Sequence, residues 1–356
     1  MSIKIAWARL HCQRLAAGRL ATPEKVVGWL GAVQAQEYHF TKWGLALRTR
    51  RASDASIERA FATGRILRTH VMRATWHFVT PADIRWLLAL TAPRVRAAVA
   101  YYDRQLGITP AVTTRANRAI AAALAGGAQL TRTELKAVLS GAAVRVTGTQ
   151  RLAHVIMHAE LDAVICSGVR RGKQFTYALL DDRAPATSLP AREDALAELA
   201  RRYFTSHGPA QLKDFVWWSG LTTGEARAGL EMSRHHLTEE EIGGARYWLA
   251  PSRRTLGQPR RAAYLLPPYD EFLIAYKDRS ASLDPALGRP GAGRGPYAAP
   301  VVLDGRVVGG WRRGLKGDRI AITFDLPRRL GRADARLVEE AASRYGDFLG
   351  ADVVMR

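Results

Sequence analysis

Apolar positions along the chain alternate between helical and strand-like spacing, with polar breakers between the runs. Between 22 and 32, TPEKVVGWLGA places Thr22 as N-cap and Pro23 at the first helical position, with apolar residues behind them. Ser53 opens a second helix, DASIERAFATG, which stops at Gly64. The run ILRTHVMRATWHFV at 66–79 is rich in β-branched and aromatic residues and predicts a strand pair or wing. Thr80-Pro81 starts helix again, to about residue 106.

The grammar then repeats. TTRANRAIAAALAGG (113–127) predicts a helix closed by glycines, and QLTRTELKAVLS (129–140) a short one with a Thr131/Glu134 capping box. GTQRLAHVIMHAELDAVICSG (148–168) predicts a longer helix running into a strand. RRGKQFTYALLDDRAP (170–185) completes a hairpin around a basic turn. Helix, short helix, longer helix, basic hairpin is the order of a winged helix-turn-helix module. A third pass spans 190–251, with TTGEARAGLEM as candidate recognition helix and a two-stranded wing turning at Gly243-Gly244.

From about 257 the texture changes to short strand-like runs between Gly, Pro and Asp turns, including the Asp-Gly hairpin signal in LDGRVVGGW. A last amphipathic helix, ADARLVEEAASRYGDFLG, is expected to end the chain. The expected fold is α+β: three tandem winged helix-turn-helix modules (1–108, 109–188 and 189–256) plus a C-terminal β-barrel-like domain (257–356).

Charge changes the picture. The chain of 356 residues carries 53 basic and 32 acidic residues, a net charge of +21. Only eight of the basic residues are lysine, an arginine bias that a GC-rich genome explains; the excess over acids it does not explain. A polyanion partner does, and nucleic acid leads. The basic pairs are spread over the whole chain, so they form a face assembled from folded parts rather than a tail. No apolar run is long enough for a spanning helix, the first residues lack secretory-signal character, and Cys12 and Cys166 stand alone. A reducing cytoplasm, beside the nucleoid, is the expected location.

Candidate chemistry is sparse. Gln34 and Gln36 flank one small residue after an apolar run; alone, such a pair reads as a surface turn. If they act together they need non-helical backbone, so the preceding helix should end by about Val33. Glu37 next door is an alternative base. His154 and His158 share a helical face, but nothing nearby completes a metal site. The stretch LGRPGAGRGPY (287–297) lacks the lysine and following helix of a phosphate-cradling loop. Trp217, Trp218, Trp248 and Trp311 read as core and module contacts. Arg73 and His77 are expected on one side of a strand, touching phosphate or lining a pocket, with a structural role equally open for His77. Arg170, Arg171 and Lys173 occupy the basic wing, Arg279 is a DNA contact or a scaffold ion-pair member with Asp278 or Glu271, and Arg312 and Arg313 follow a strand.

Taken together, LGAVQAQEYHF, VMRATWHFVTPADIRWL, ELDAVICSGVRRGKQFTYALLDDRAP, PAQLKDFVWWSGL, LLPPYDEFLIAYKDRS and VVLDGRVVGGWRR resemble the winged-helix DNA glycosylases of the AlkZ and YcaQ type. They follow the family's order from about residue 20 to 325. The resemblance implies tandem winged-helix modules scaffolded on a β-barrel, a concave DNA surface, excision of N-alkylated purines, unhooking of interstrand crosslinks, and no cofactor. The family's catalytic Gln-x-Gln/Asp signature matches Gln34 and Gln36, in the Gln-x-Gln form of the AlkZ branch, whose members tend to confer resistance to a DNA-alkylating natural product. A monofunctional enzyme is expected, because no lysine near the motif offers an amine for imine chemistry. Its expected partner is double-stranded DNA bound by a monomer. The alternative is a non-catalytic winged-helix DNA-binding protein or regulator with the same charge and fold.

Overall fold

A computed structural model describes residues 2–16, 18–251, 261–284, 287, 299–316 and 319–355. The chain divides into two compact units. The first joins Met1–Glu58, Leu196–Trp218 and Thr222–Arg356; the second is Arg59–Ala195 with Ser219–Leu221. These boundaries cut through the expected first and third modules, because the chain leaves the first unit at Glu58 and re-enters it at Leu196.

In the second unit, the antiparallel strands Leu67–His70 and Trp76–Val79 form the expected hairpin, with Leu67 opposite Val79 and His70 opposite Trp76. Helix Ile84–Gln105 follows, then Pro110–Leu124, Arg132–Gly141 and Thr149–Leu161. The short helix starts at Thr131, whose hydroxyl accepts from the Glu134 amide while the Glu134 carboxylate accepts from the Thr131 amide, the reciprocal cap legible in the sequence. Strand Thr176–Leu179 lies between Leu130–Thr131 and Ile165–Ser167 in a three-stranded sheet. Ile120, Leu124, Leu135, Leu139, Val155 and Ile165 meet in one core beneath it. Burying each such side chain contributes roughly 1.5–3 kcal/mol before entropy is counted.

In the first unit, strands Ala263–Leu265, Pro300–Leu303, Arg306–Lys316, Arg319–Asp325 and Val353–Met355 form one sheet. The first four pair antiparallel, and Asp304-Gly305, both at positive φ, makes the tight turn the sequence signals. Among the described residues the sheet is open, with Ala263–Leu265 at one edge and Val353–Met355 at the other, rather than a closed barrel. The terminal helix Arg332–Leu349 does not end the chain. Gly350 at φ 66° turns it back, and Val353–Met355 pairs parallel with Arg319–Asp325. Gly346 permits that return, since a Cβ there would stand 2.6 Å from Val353. The third module's elements occur in the expected order: helices Leu212–Ser219 and Thr223–Ser233, then the hairpin Thr238–Ile242 and Ala245–Leu249. Helix Ser2–Cys12 and the short helix Glu271–Ile274 lack a comparable sequence signal. Among the described residues no helix is long and apolar enough to cross a membrane. Except for Leu287, the glycine-rich stretch 287–297 lies outside the described residues.

Candidate active site

Helix Pro23–Leu30 ends at Gly31, φ 83°, where a Cβ would meet Trp218 at 3.4 Å. The chain then runs extended through Val33–Gln34, so the motif sits on non-helical backbone as expected. Helix Tyr38–Arg48 begins immediately after it, and Thr41 Oγ1 donates to the carbonyls of Gln34 (3.2 Å) and Glu37 (3.0 Å). The two glutamines are not equivalent. Gln34 is only 4% exposed, whereas Gln36 is exposed on the bend before the helix. Glu37 is exposed too and serves as backbone N-cap.

What fixes Gln34 lies 237 positions away in sequence. Its backbone N–H donates to Glu271 Oε1 at 3.1 Å, and Trp218 Nε1 donates to Glu271 Oε2 at 2.9 Å. His207 Nε2 stands 3.4 Å from the same oxygen. The neighbouring Asp270 caps helix Glu271–Ile274 through the Phe272 amide and takes both ends of the Arg48 guanidinium, at 2.7 and 2.9 Å. Gln13 ties the two acids together, accepting from Arg48 and donating to the Glu271 carbonyl and the Tyr276 hydroxyl. Asp270, Glu271, Arg48, Gln13 and His207 are all buried. A buried charge pair with bidentate geometry and further hydrogen bonds is a rigid brace, and its loss would strand a charge in the interior.

Gln34 lines a small cleft with Leu30, Val33, Thr41, Arg48 and residues 267–270. The space it leaves for the centre of a water-sized sphere is about 10 Å³, room for about one ordered water and not for a purine. Lys42, six residues beyond Gln36, is buried and clamped at 2.8 Å by both Asp54 and Glu58.

The other expected site residues fall in both units. In the first, Arg312 and Arg313 lie inside strand Arg306–Lys316 rather than after a strand. Both are exposed; Arg313 donates to the Tyr345 hydroxyl at 2.9 Å and stands over the Phe40 ring. Arg279 donates to the Leu273 carbonyl and lies over Trp217, while Asp278 accepts from Lys213. In the second unit, Arg73 is not on a strand but in the turn at 71–75, because Met72 adopts φ 64° and reverses the chain there. The His77 ring is fully buried, accepted by the Thr75 carbonyl and 3.5 Å from Arg73, an arrangement suited to holding Arg73 rather than meeting a phosphate. Arg170 lies over Phe175, Arg171 is paired with Glu134 at 2.9 Å, and Lys173 is exposed at the tip. That pairing and the Thr131 cap pull the Glu134 carboxyl down to about 2.

His154 and His158 are both engaged by Asp103, at 2.8 and 2.9 Å, and Arg96 donates to His158 Nδ1. Trp218, Trp248 and Trp311 are buried, and the half-buried Trp217 donates to the Ile274 carbonyl. Glu271 stands out in the sequence only as a scaffold partner for Arg279, and Asp270, Arg48 and Gln13 do not stand out at all. The available signal was an acidic pair directly after Pro267-Pro268-Tyr269 inside an otherwise apolar segment.

A family model of AlkZ-like DNA glycosylases matches residues 27–348. A curated relative described as an interstrand DNA cross-link repair glycosylase, from Streptomyces sahachiroi, is 26% identical over 320 residues, covering 86% of each chain. The solved structure of Streptomyces sahachiroi DNA glycosylase AlkZ superposes with a TM-score of 0.81 at 25% identity, covering 99% of this chain and 98% of that one. The chain therefore belongs to the AlkZ-like family of DNA glycosylases.

Proposed function

We propose that the protein is a monofunctional DNA glycosylase that hydrolyses the N-glycosidic bond of N7-alkylated guanine in duplex DNA, bulky adducts and interstrand crosslinks included. The observation that carries the reading is Gln34, fixed through Glu271 on extended backbone in a cleft sized for a water. An N7-alkylguanine is cationic and leaves with the bonding electron pair. The sugar becomes oxocarbenium-like, water oxygen bonds to C1′, and a proton passes to solvent. Gln34 offers both acceptor and donor atoms to orient that water, and exposed Gln36 meets the sugar of the incoming strand. Neither amide titrates near neutral pH, so the chemistry is confined to leaving groups already activated by charge. The nearest lysine in sequence, Lys42, is held in ion pairs, which supports hydrolysis over imine formation.

A cleft too small for a purine favours attack from outside, with the lesion left in or beside the helix, over extrusion into a tight pocket. Such a site tolerates bulk, which suits the crosslink repair for which the S. sahachiroi relative is described. In this reading the three helix-and-hairpin passes are winged-helix modules on a monomer. Arg73, Arg170, Arg171, Lys173, Arg279, Arg312 and Arg313 supply phosphate contacts, and His77 positions Arg73. The cell compartment is the cytoplasm, and a bulky natural alkylator is the substrate in self-resistance.

The test is base release from duplexes carrying N7-methylguanine or a bulky N7-alkylguanine, with unhooking of an N7–N7 crosslinked duplex read on a denaturing gel. Release from the bulky and crosslinked substrates at least as fast as from the methylated one supports the reading. Release of methylguanine alone would limit it to general repair. Tight, salt-sensitive binding with no release from any substrate would favour a non-catalytic DNA-binding protein.

A further inference from the structure

Tyr269 has a backbone conformation unusual for its residue type. Its φ is +59°, in the left-handed region that costs a residue with a Cβ about 1–2 kcal/mol. Glycine or asparagine would take that conformation more cheaply. The chain is fixed on both sides of it. Upstream, the carbonyls of Leu265 and Leu266 accept the indole N–H groups of Trp43 and Trp311, and Pro267 packs so closely that a Cβ on Gly44 would stand 3.2 Å from it. Downstream, Asp270 is gripped by Arg48 and Glu271 holds the Gln34 amide. The strained residue is thus set between two braces, and its half-buried side chain lines the same cleft as Gln34.

Breaking the glycosidic bond places positive charge on the deoxyribose, and an aromatic face carries negative potential that attracts a cation within about 6 Å of its centre. Resting on the glycosylase reading above, we propose that Tyr269 is a further catalytic residue. Its ring packs against the sugar of the target nucleotide and stabilises the charge that develops there. The residue itself is unchanged by the step: the C1′–N9 bond breaks towards the base, water oxygen bonds to C1′, and no proton moves to or from the phenol. The strained backbone sets the ring where the sugar arrives.

The experiment uses the full chain with Tyr269→Phe, Tyr269→Leu, Tyr269→Gly and Tyr269→Asn. It reads the single-turnover release of N7-methylguanine, the duplex Kd by anisotropy, and the melting temperature. The Phe variant should keep the rate within about threefold, while Leu, Gly and Asn slow it about 10-fold or more, as loss of a desolvated cation–π contact would. The Kd should hold within about threefold throughout. Gly and Asn should melt no lower than wild type, since they relieve the backbone, and Asn serves if Gly does not fold. Wild-type rates in Leu, Gly and Asn would overturn the proposal. So would a Phe loss as large as that of Leu, or an effect confined to Kd. Failure of the wild type to release base from any substrate would instead overturn the glycosylase reading, and this one with it.

Discussion

Removing the Glu271 carboxylate gives the sharpest energetic expectation. Two buried donors point at it, the Gln34 amide at 3.1 Å and the Trp218 indole at 2.9 Å, with His207 Nε2 3.4 Å away, and Glu271 itself is 1% exposed. In Glu271→Ala the Gln34 and Trp218 donors lose their acceptor. An orphaned buried donor costs about 1–3 kcal/mol, so the variant should lose about 2–6 kcal/mol of stability. Against a typical stability of about 5–15 kcal/mol, that is a large share. Glu271→Gln keeps the volume and one carbonyl acceptor but turns its NH₂ towards the second donor, and should lose about 1–3 kcal/mol. The assay is urea unfolding followed by tryptophan fluorescence, with Glu340→Ala on the surface as control, expected within about 0.5 kcal/mol of wild type. Where Glu271→Gln remains folded, base release should fall by more than the folded fraction does, because the Gln34 backbone is no longer tied in place. An Ala variant within about 1 kcal/mol of wild type would refute the reasoning: it would mean Glu271 does not bear those donors in solution.

Three further expectations concern other parts of the molecule. Glu134→Gln keeps the capping box but removes the charge that occupies Arg171, so it should tighten duplex binding a few-fold and steepen the salt slope by up to about one unit; no change in anisotropy titrations would place Arg171 away from phosphate. The Glu134 carboxyl is held down to about 2, so its cap is fully in place above the ordinary carboxylate range and is lost as pH falls towards 2. An NMR titration of its side-chain carbon should show this, with the midpoint rising in Arg171→Ala. Burial pushes the Cys166 thiol up to about 12, so it should resist a thiol-reactive probe in the native protein at pH 8 and react in urea; rapid native labelling would contradict its burial.

Much of the local architecture was legible because its determinants are local. The Thr131/Glu134 cap and the Asp304-Gly305 turn each act within a few residues and form where the sequence places them, and helix Pro23–Leu30 ends before Val33 as expected. What escaped depends on distant partners. No periodicity shows that Glu271 receives an amide 237 positions upstream or that Arg48 grips Asp270 222 positions away. The return strand at 353–355 likewise needs the edge offered by Arg319–Asp325. The Arg73 turn depends on one residue, Met72, taking positive φ, which composition does not signal for methionine. The glutamine pair was legible only through its surroundings. Alone it reads as a surface turn, and Gln36 is indeed exposed; nothing in the sequence signals that Gln34 is the buried one of the two.

The role proposed for Gln34 and Gln36 is to carry out the hydrolysis. It is tested most directly by single-turnover release of N7-methylguanine from duplex DNA by wild type, Gln34→Ala and Gln36→Ala, with duplex Kd measured for each. Wild type should release the base and both variants should fall by about 100-fold or more, the scale expected when a positioned water is lost, at nearly unchanged Kd. Wild-type release that survives both substitutions would contradict that role and move the chemistry to other residues.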